Sequence, residues 1–377
     1  MAAGPDDAEL APTLRAGARD ADYASGDAAA DSAAESAIAA AETQAAADVA
    51  AVATEPHPTS TRFTSYQDLL AAQLKQCGEL CAYDESLFAG TNASTPHTVE
   101  YLVSKQIKRR VECAQLFSPE ADAVFEADPL KWPPPRSPPD AMLGEFTLGH
   151  RVNVAREYNV ATYQGGSALH PSWTMAVVDK MKASLLAGKL HGTYGERASN
   201  RLLEILRSNP QHIKDKRVLV IGSEKPWVET IALVAGAASV TTVEYGVIHS
   251  EVPEITTYTP KQLAEAIRHG KIEPFDAAIT YSSLEHPGLG RYGDGLQPWG
   301  DVVAVAKASC QMKSGAALFL GLPISEDNRD VLVWNSHRLY GPWRLPLVLT
   351  NWRVKDVHRL PGFRIRHDVV VALNERE

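Results

Sequence analysis

Residues 217–246, "RVLVIGSEKPWVETIALVAGAASVTTVEYG", decide the fold. Val218 to Ile221 is a short apolar run rich in β-branched residues, as expected of a strand buried on both faces. Pro226 is tolerated in a first helical turn, so a helix is predicted over 226–236. Ser239 to Tyr245 reads as a second strand. It holds Glu244, 22 residues beyond Gly222. An acid about twenty residues past the first turn can accept hydrogen bonds from the ribose of a bound nucleoside. Yet the turn itself is nearly bare of glycine. Gly222 is followed by Ser223, Glu224, Lys225, Pro226 and Trp227.

Further units follow. A third strand is predicted in "EITTYTP", then a helix at 260–269, a strand at 275–283, a helix at 301–313 and a strand at 315–324. Two more strands are predicted at 352–359 and 367–374. Strands alternating with helices imply a mostly parallel, Rossmann-like sheet with helices on both faces. Upstream, helices are predicted at 172–188 and 195–208, the second stopped by Asn209-Pro210. The segment "YQGGSALHPSW", with Gly165, Gly166, His170 and Trp173, is either a cover for the ligand site or a plain loop.

The rest of the chain divides by composition. Residues 1–60 are rich in alanine and carry 11 acidic against 2 basic side chains. Such a tail buries too little to order itself, so it is expected to be disordered, and a protein partner is conceivable for it. The remainder carries 35 charges of each sign, so the net charge of −9 belongs to the tail. A neutral body gives no electrostatic footprint for nucleic acid. No run of about 18 apolar residues suggests a membrane span, and no secretory signal is evident. Residues 61–127 read as a helical region, with helical spacing from Phe63 to Phe88 and over 98–117. Its basic cluster Lys105, Lys108, Arg109 and Arg110 reads as a solvated face. Residues 128–140, "DPLKWPPPRSPPD", read as an extended linker before a domain at 141–377 with its core at 217–374.

Four cysteines, Cys77, Cys81, Cys113 and Cys310, are few for this length and suit a reducing, cytoplasmic setting. Cys77 and Cys81 read as small apolar residues on a helix, and no metal-binding spacing is evident. Asn92-Ala-Ser94 matches a glycosylation sequon but means little without a secretory signal. "GLGRYG", Gly288 to Gly293, satisfies a dinucleotide fingerprint but lacks its context, because no helix follows directly. It reads instead as a loop over the carboxyl ends of the strands.

The order of elements, with an antiparallel strand entering the far end, is similar to the Rossmann-like methyltransferase pattern. Three stretches together resemble one family: "VLVIGSEKPWVE" with "GAASVTTVEYG", "YSSLEHPGLGRYGD", and "LFLGLPI" with "WNSHRLYG". This is domain-of-unknown-function family 268, methyltransferase-like in fold. The resemblance implies S-adenosylmethionine as cofactor and a small or sugar-like molecule as methyl acceptor. Gly222, Ser223, Glu224 and Glu244 are the expected donor contacts. By similarity of "SSLEHP" to many small-molecule methyltransferases, so are Ser283, Leu284 and Glu285. His286 at the end of the fourth strand is the candidate base, with Asp294 and His337 as further catalytic candidates and Arg291 and Tyr292 as acceptor contacts. The competing expectation is a binding or scaffold protein that kept the fold without the donor. It is favoured if Lys225, Pro226 and Trp227 fill the pocket.

Overall fold

The computed structural model describes residues 63–376, except 84, 94, 97, 126–129, 132, 161–171, 326 and 361–364. The acidic tail and the Gly165–His170 segment therefore lie outside the described residues.

Seven strands form the main sheet: β1 (Arg217–Ile221), β2 (Ser239–Val243), β3 (Ile255–Tyr258), β4 (Phe275–Tyr281), β5 (Met312–Ser325), β6 (Trp352–Leu360) and β7 (Ile365–Asn374). Their spatial order is β6-β7-β5-β4-β1-β2-β3. β1 to β5 pair in parallel, whereas β7 runs antiparallel to both β5 and β6. This is the mostly parallel α/β sheet expected from the sequence, including the reversed strand at its far end.

Both faces of the sheet are apolar, which explains the continuous hydrophobic runs. Along β1, Val218 and Val220 point to one buried cluster and Leu219 to the other. Helices α1 (Tyr66–Cys77), α2 (Met175–Leu186), α3 (Gly195–Arg207), α4 (Trp227–Val234), α5 (Pro260–Arg268) and α6 (Gly300–Cys310) surround it. Leu202 and Leu206 of α3 and Ile231 of α4 cover the Val218 face. Val302 and Val305 of α6 cover the other, and Leu69 of α1 joins the same cluster. The N-terminal helical segment thus shares a core with the sheet.

Two expectations need correction. The helix predicted over 98–117 is broken into Val99–Ser104 and Cys113–Leu116. Between them the backbone of Arg109 is held by the Asn351 amide. Arg109 N donates to Asn351 Oδ1 at 2.8 Å, and Asn351 Nδ2 donates to Arg109 O at 2.8 Å. The basic side chains there are mostly engaged. Lys108 pairs with Glu375, Arg110 with Glu112, and Lys105 donates to Ala89 O.

The cysteines are also not plain apolar residues, and all four are paired, which departs from the reducing setting their number suggested. Cys77 is bonded to Cys81 and Cys113 to Cys310, with Cα separations of 5.5 and 5.6 Å. Gly78, at φ +58, ends α1, and a tight turn over Gly78–Cys81 brings the second cysteine back beside the first. Among the described residues no helix is long and apolar enough to cross a membrane, and no cluster of potential metal ligands is present.

Candidate functional site

The parallel strands end at one edge, where Gly222, Glu244 and Ser282 follow β1, β2 and β4. Because β7 is reversed, its beginning lies at this same edge, with His367 opposite Pro323 of β5.

The turn after β1 keeps a single glycine for a local reason. Gly222 has φ +74, and a Cβ there would come within 2.3 Å of Ser283 Oγ. Ser283 Oγ donates to Gly222 O at 3.0 Å. Glu244 is fixed against the turn. Its Oε2 accepts from Ser223 N at 2.9 Å and its Oε1 from Tyr245 N at 2.7 Å. Burial raises its carboxyl above the usual range, and the backbone N–H groups of Tyr245, Ser223 and Gly246 oppose that rise. A carboxylate has about four acceptor sites, so both oxygens keep acceptor capacity.

Ser223 itself is buried. Its hydroxyl meets Lys225 O at 2.7 Å and Glu229 Oε2 at 3.0 Å. One hydroxyl proton cannot serve both acceptors. Protonation of Glu229, which burial pushes up to about 7, supplies the second. Glu224 and Lys225 are exposed, whereas Trp227 is buried against Tyr281, with ring centroids 5.3 Å apart. The first turn is therefore split, with Glu224 and Lys225 outward and Ser223 and Trp227 inward.

Beyond β4, the predicted Leu284 and Glu285 do not line an open pocket. Leu284 is 1% exposed, within the apolar cluster, and Glu285 is 2% exposed. Glu285 Oε1 instead accepts from Ser282 Oγ, and burial pushes its carboxyl up to about 7. With Glu285 ionised, the contact of 3.0 Å between Ser282 Oγ and His367 Nε2 has His367 as donor; with Glu285 protonated, Ser282 donates to His367. Sequence reasoning missed Ser282 and His367. They stand 85 residues apart and meet only through the reversed strand. Ser282 sits at φ +53, a conformation costly for a non-glycine residue. Tyr281 and Tyr194 flank His367, at 5.7 and 4.7 Å between centroids. Gly321 is required here, because a Cβ would lie 2.7 Å from the Tyr281 ring.

His286, Arg291 and His337 do come together, around Ser336. His286 Nδ1 is 2.8 Å from Ser336 O, so it carries the proton and leaves Nε2 as the acceptor. Ser336 Oγ accepts from Asn159 Nδ2 at 3.1 Å and from Arg291 Nη1 at 3.2 Å. It must therefore donate to His337 Nδ1, 2.9 Å away, which places the His337 proton on Nε2. Tyr292 packs edge-on to His286 at 5.3 Å. Asp294 does not face this group as a reactive acid. Its oxygens accept from Gly288 N at 2.6 Å and Tyr292 N at 3.3 Å, which shapes the loop. The loop is further held by Arg338, whose Nη1 donates to Pro287 O at 2.8 Å.

Burial lowers His286 to about 3 and His367 to about 4. A histidine observed by NMR normally titrates near about 6.5. The His286 and His367 rings should instead show no imidazolium-sized shift from pH 8 to pH 5, because both remain neutral until the pH nears those lower values; only the small shift that Glu285 imposes as it titrates near 7 is expected. An imidazolium-sized inflection near pH 6.5 in either would overturn the buried, neutral assignment.

Residues 215–358 match the family described as Caenorhabditis protein of unknown function, DUF268. The match covers β1 to β5 and most of β6, and includes Glu244, His286 and His337 but not His367. No curated protein matches the chain. Among solved structures it is similar to 1,6-didemethyltoxoflavin-N1-methyltransferase from Burkholderia thailandensis, solved with S-adenosylhomocysteine. Identity is 16% over 53% of this chain and 88% of that one, with a TM-score of 0.32. It is also similar to the N-methyltransferase NodS from Bradyrhizobium japonicum, at 11% identity over 47% and 96% of the chains and a TM-score of 0.35. TehB from Haemophilus influenzae is a third, at 11% identity over 45% and 62% of the chains and a TM-score of 0.31.

Proposed function

We propose that this protein is an S-adenosylmethionine-dependent methyltransferase acting on the hydroxyl or amine of a small acceptor. The observation that carries the reading is Glu244. It stands at the carboxyl end of β2, oriented by two backbone N–H groups and with acceptor capacity left on both oxygens. That is what two ribose hydroxyls require. The exposed Glu224 carboxylate in the adjoining turn suits the donor's ammonium. When bound, the donor supplies an electrophilic methyl group on a sulfonium.

The chain's own contribution is positioning and proton removal. The Gly288–Gly293 loop, pinned by Asp294 and Arg338, holds His286 with its Nε2 unprotonated, 3.6 Å from Glu285 Oε1. A ring lowered to about 3 is a weak base. It suffices here, because a hydroxyl gaining a methyl becomes strongly acidic in the transition state, and proton transfer can then follow.

One observation favours the competing reading of a binding protein without donor. Ser283 packs over Gly222, and Ser223 N is spent on Glu244, so the turn offers a ligand less backbone than a glycine-rich one. Calorimetry of the full chain with S-adenosylmethionine and S-adenosylhomocysteine separates the two. Micromolar binding, weakened at least tenfold in Glu244→Ala, is the expected result. No binding at millimolar ligand by folded protein would leave the binding-protein reading.

A further inference from the structure

We propose that the acceptor carries an oxyanion, a carboxylate or a phosphate, which the Arg291 guanidinium and the His337 Nε2–H hold beside the His286 Nε2 lone pair. This rests on the methyl-transfer reading for the word acceptor, but the anion subsite itself does not depend on it.

The first ground is the guanidinium's lack of a counter-charge. Among the described residues, no carboxylate lies within ion-pair distance of Arg291. Its Nη1 contacts only Ser336, at 3.3 Å to O and 3.2 Å to Oγ, and its Nε is shielded from solvent without a partner. A guanidinium with open donors is the residue of choice for planar oxyanions.

The second ground is the hydrogen-bond direction at Ser336. It forces the His337 proton onto Nε2, so this ring is a donor on its outer side. The neighbouring His286 ring, 6.4 Å away between centroids, is an acceptor on its own. The two histidines are thus not equivalent. One can hold an anion and the other can take a proton. Asn335, next to Ser336 in the chain, is fully buried and its Nδ2 has no partner.

No acidic group among the described residues forms a close ion pair with Arg291, although its charge acts on the buried Glu285 carboxyl and lowers it. Glu285 Oε1 is engaged by Ser282, Asp294 is turned onto backbone N–H groups, and the exposed Glu157 accepts from Asn159 Nδ2 at 2.7 Å. Tyr292 lies under the guanidinium, 5.0 Å from ring centroid to Cζ, which fixes its plane.

The test is thermal stabilisation and calorimetry of the full chain without methyl donor, using sodium phosphate, sodium acetate and sodium chloride at matched ionic strength. Saturable binding of phosphate or of acetate, absent with chloride, is expected, and whichever binds identifies the source of the oxyanion. Arg291→Gln should weaken it at least tenfold, Arg291→Lys less, and His337→Ala by a smaller factor that His337→Gln partly restores. A melting temperature near wild type shows that each variant is folded. If the lysine variant alone folds, its intermediate affinity is the readout. Equal effects of all three salts, or unchanged binding in the Arg291 variants, mean an adventitious ion only and overturn the proposal. Donor binding lost with anion binding intact would instead count against methyl transfer and leave this subsite standing.

Discussion

Breaking the Cys113–Cys310 bond is expected to cost about 5 kcal/mol of stability. The two cysteines are 197 residues apart, and in the chain-entropy account a loop of that size brings a loss of about 5 kcal/mol when opened. At roughly 2 °C per kcal/mol for a chain of this size, the melting temperature should fall by about 10 °C. Cys77 and Cys81 enclose only a few residues, with a separation of 4, so opening that bond should cost about 2 kcal/mol. Urea titration of Cys310→Ser and Cys81→Ser variants, each against the oxidised protein, checks the order. Equal losses, or a Cys310→Ser loss below about 1 kcal/mol, would mean that the long-range bond does not constrain the unfolded chain as this account requires.

Removing the Asp301 carboxylate should be comparably damaging. Asp301 is fully buried at the start of α6. It accepts from Arg344 Nη2 at 2.6 Å, Arg344 Nε at 2.8 Å and Tyr340 Oη at 3.1 Å, and Arg338 Nε lies 3.8 Å away. Asp301→Ala would leave two buried guanidinium groups without their counter-charge, an effect of about 4 kcal/mol. Although burial acts to raise it, the Asp301 carboxyl is held below its usual value by the two arginines. Its contribution is therefore complete at neutral pH and is lost only as pH falls below about 3.9 and through the depressed folded value. Denaturant unfolding at pH 7 measures the loss, and an Asp301→Leu, Arg344→Met double variant should recover part of it. A single-variant loss below about 1 kcal/mol would sink the idea that this pair holds the loop. Because Arg338 also carries Pro287 O, the same change should loosen His286, seen as a shift of its ring signals.

The sheet was legible because its strands are buried on both faces and read as apolar runs with turn residues between them. Val218 to Ile221, Glu244 at a strand end and His286 just past another were all locatable from that pattern. Burial of individual site residues was not. Leu284 and Glu285 sit in a motif that reads as pocket lining, yet their side chains are buried, and the Tyr340 hydroxyl, which follows far along the chain, holds the Leu284 carbonyl. Ser282 with His367, and Cys113 with Cys310, depend on partners far along the chain. Spacing reports local geometry and carries no trace of such pairs. The reversed strand was anticipated, but what it delivers to the site, a histidine at its first turn of chain, follows only from the register of β7 on β5.

That reversed strand also separates the order of synthesis from the order of assembly. Among the described residues β6 pairs in the sheet only with β7, yet it leaves the ribosome before it. Until β7 has been made and slotted against β5, the Trp352–Leu360 segment has no place to pair, and the exposed flank of β5 is an open template for other chains. β7, made after β6, is the stretch that joins the outermost strand to the rest.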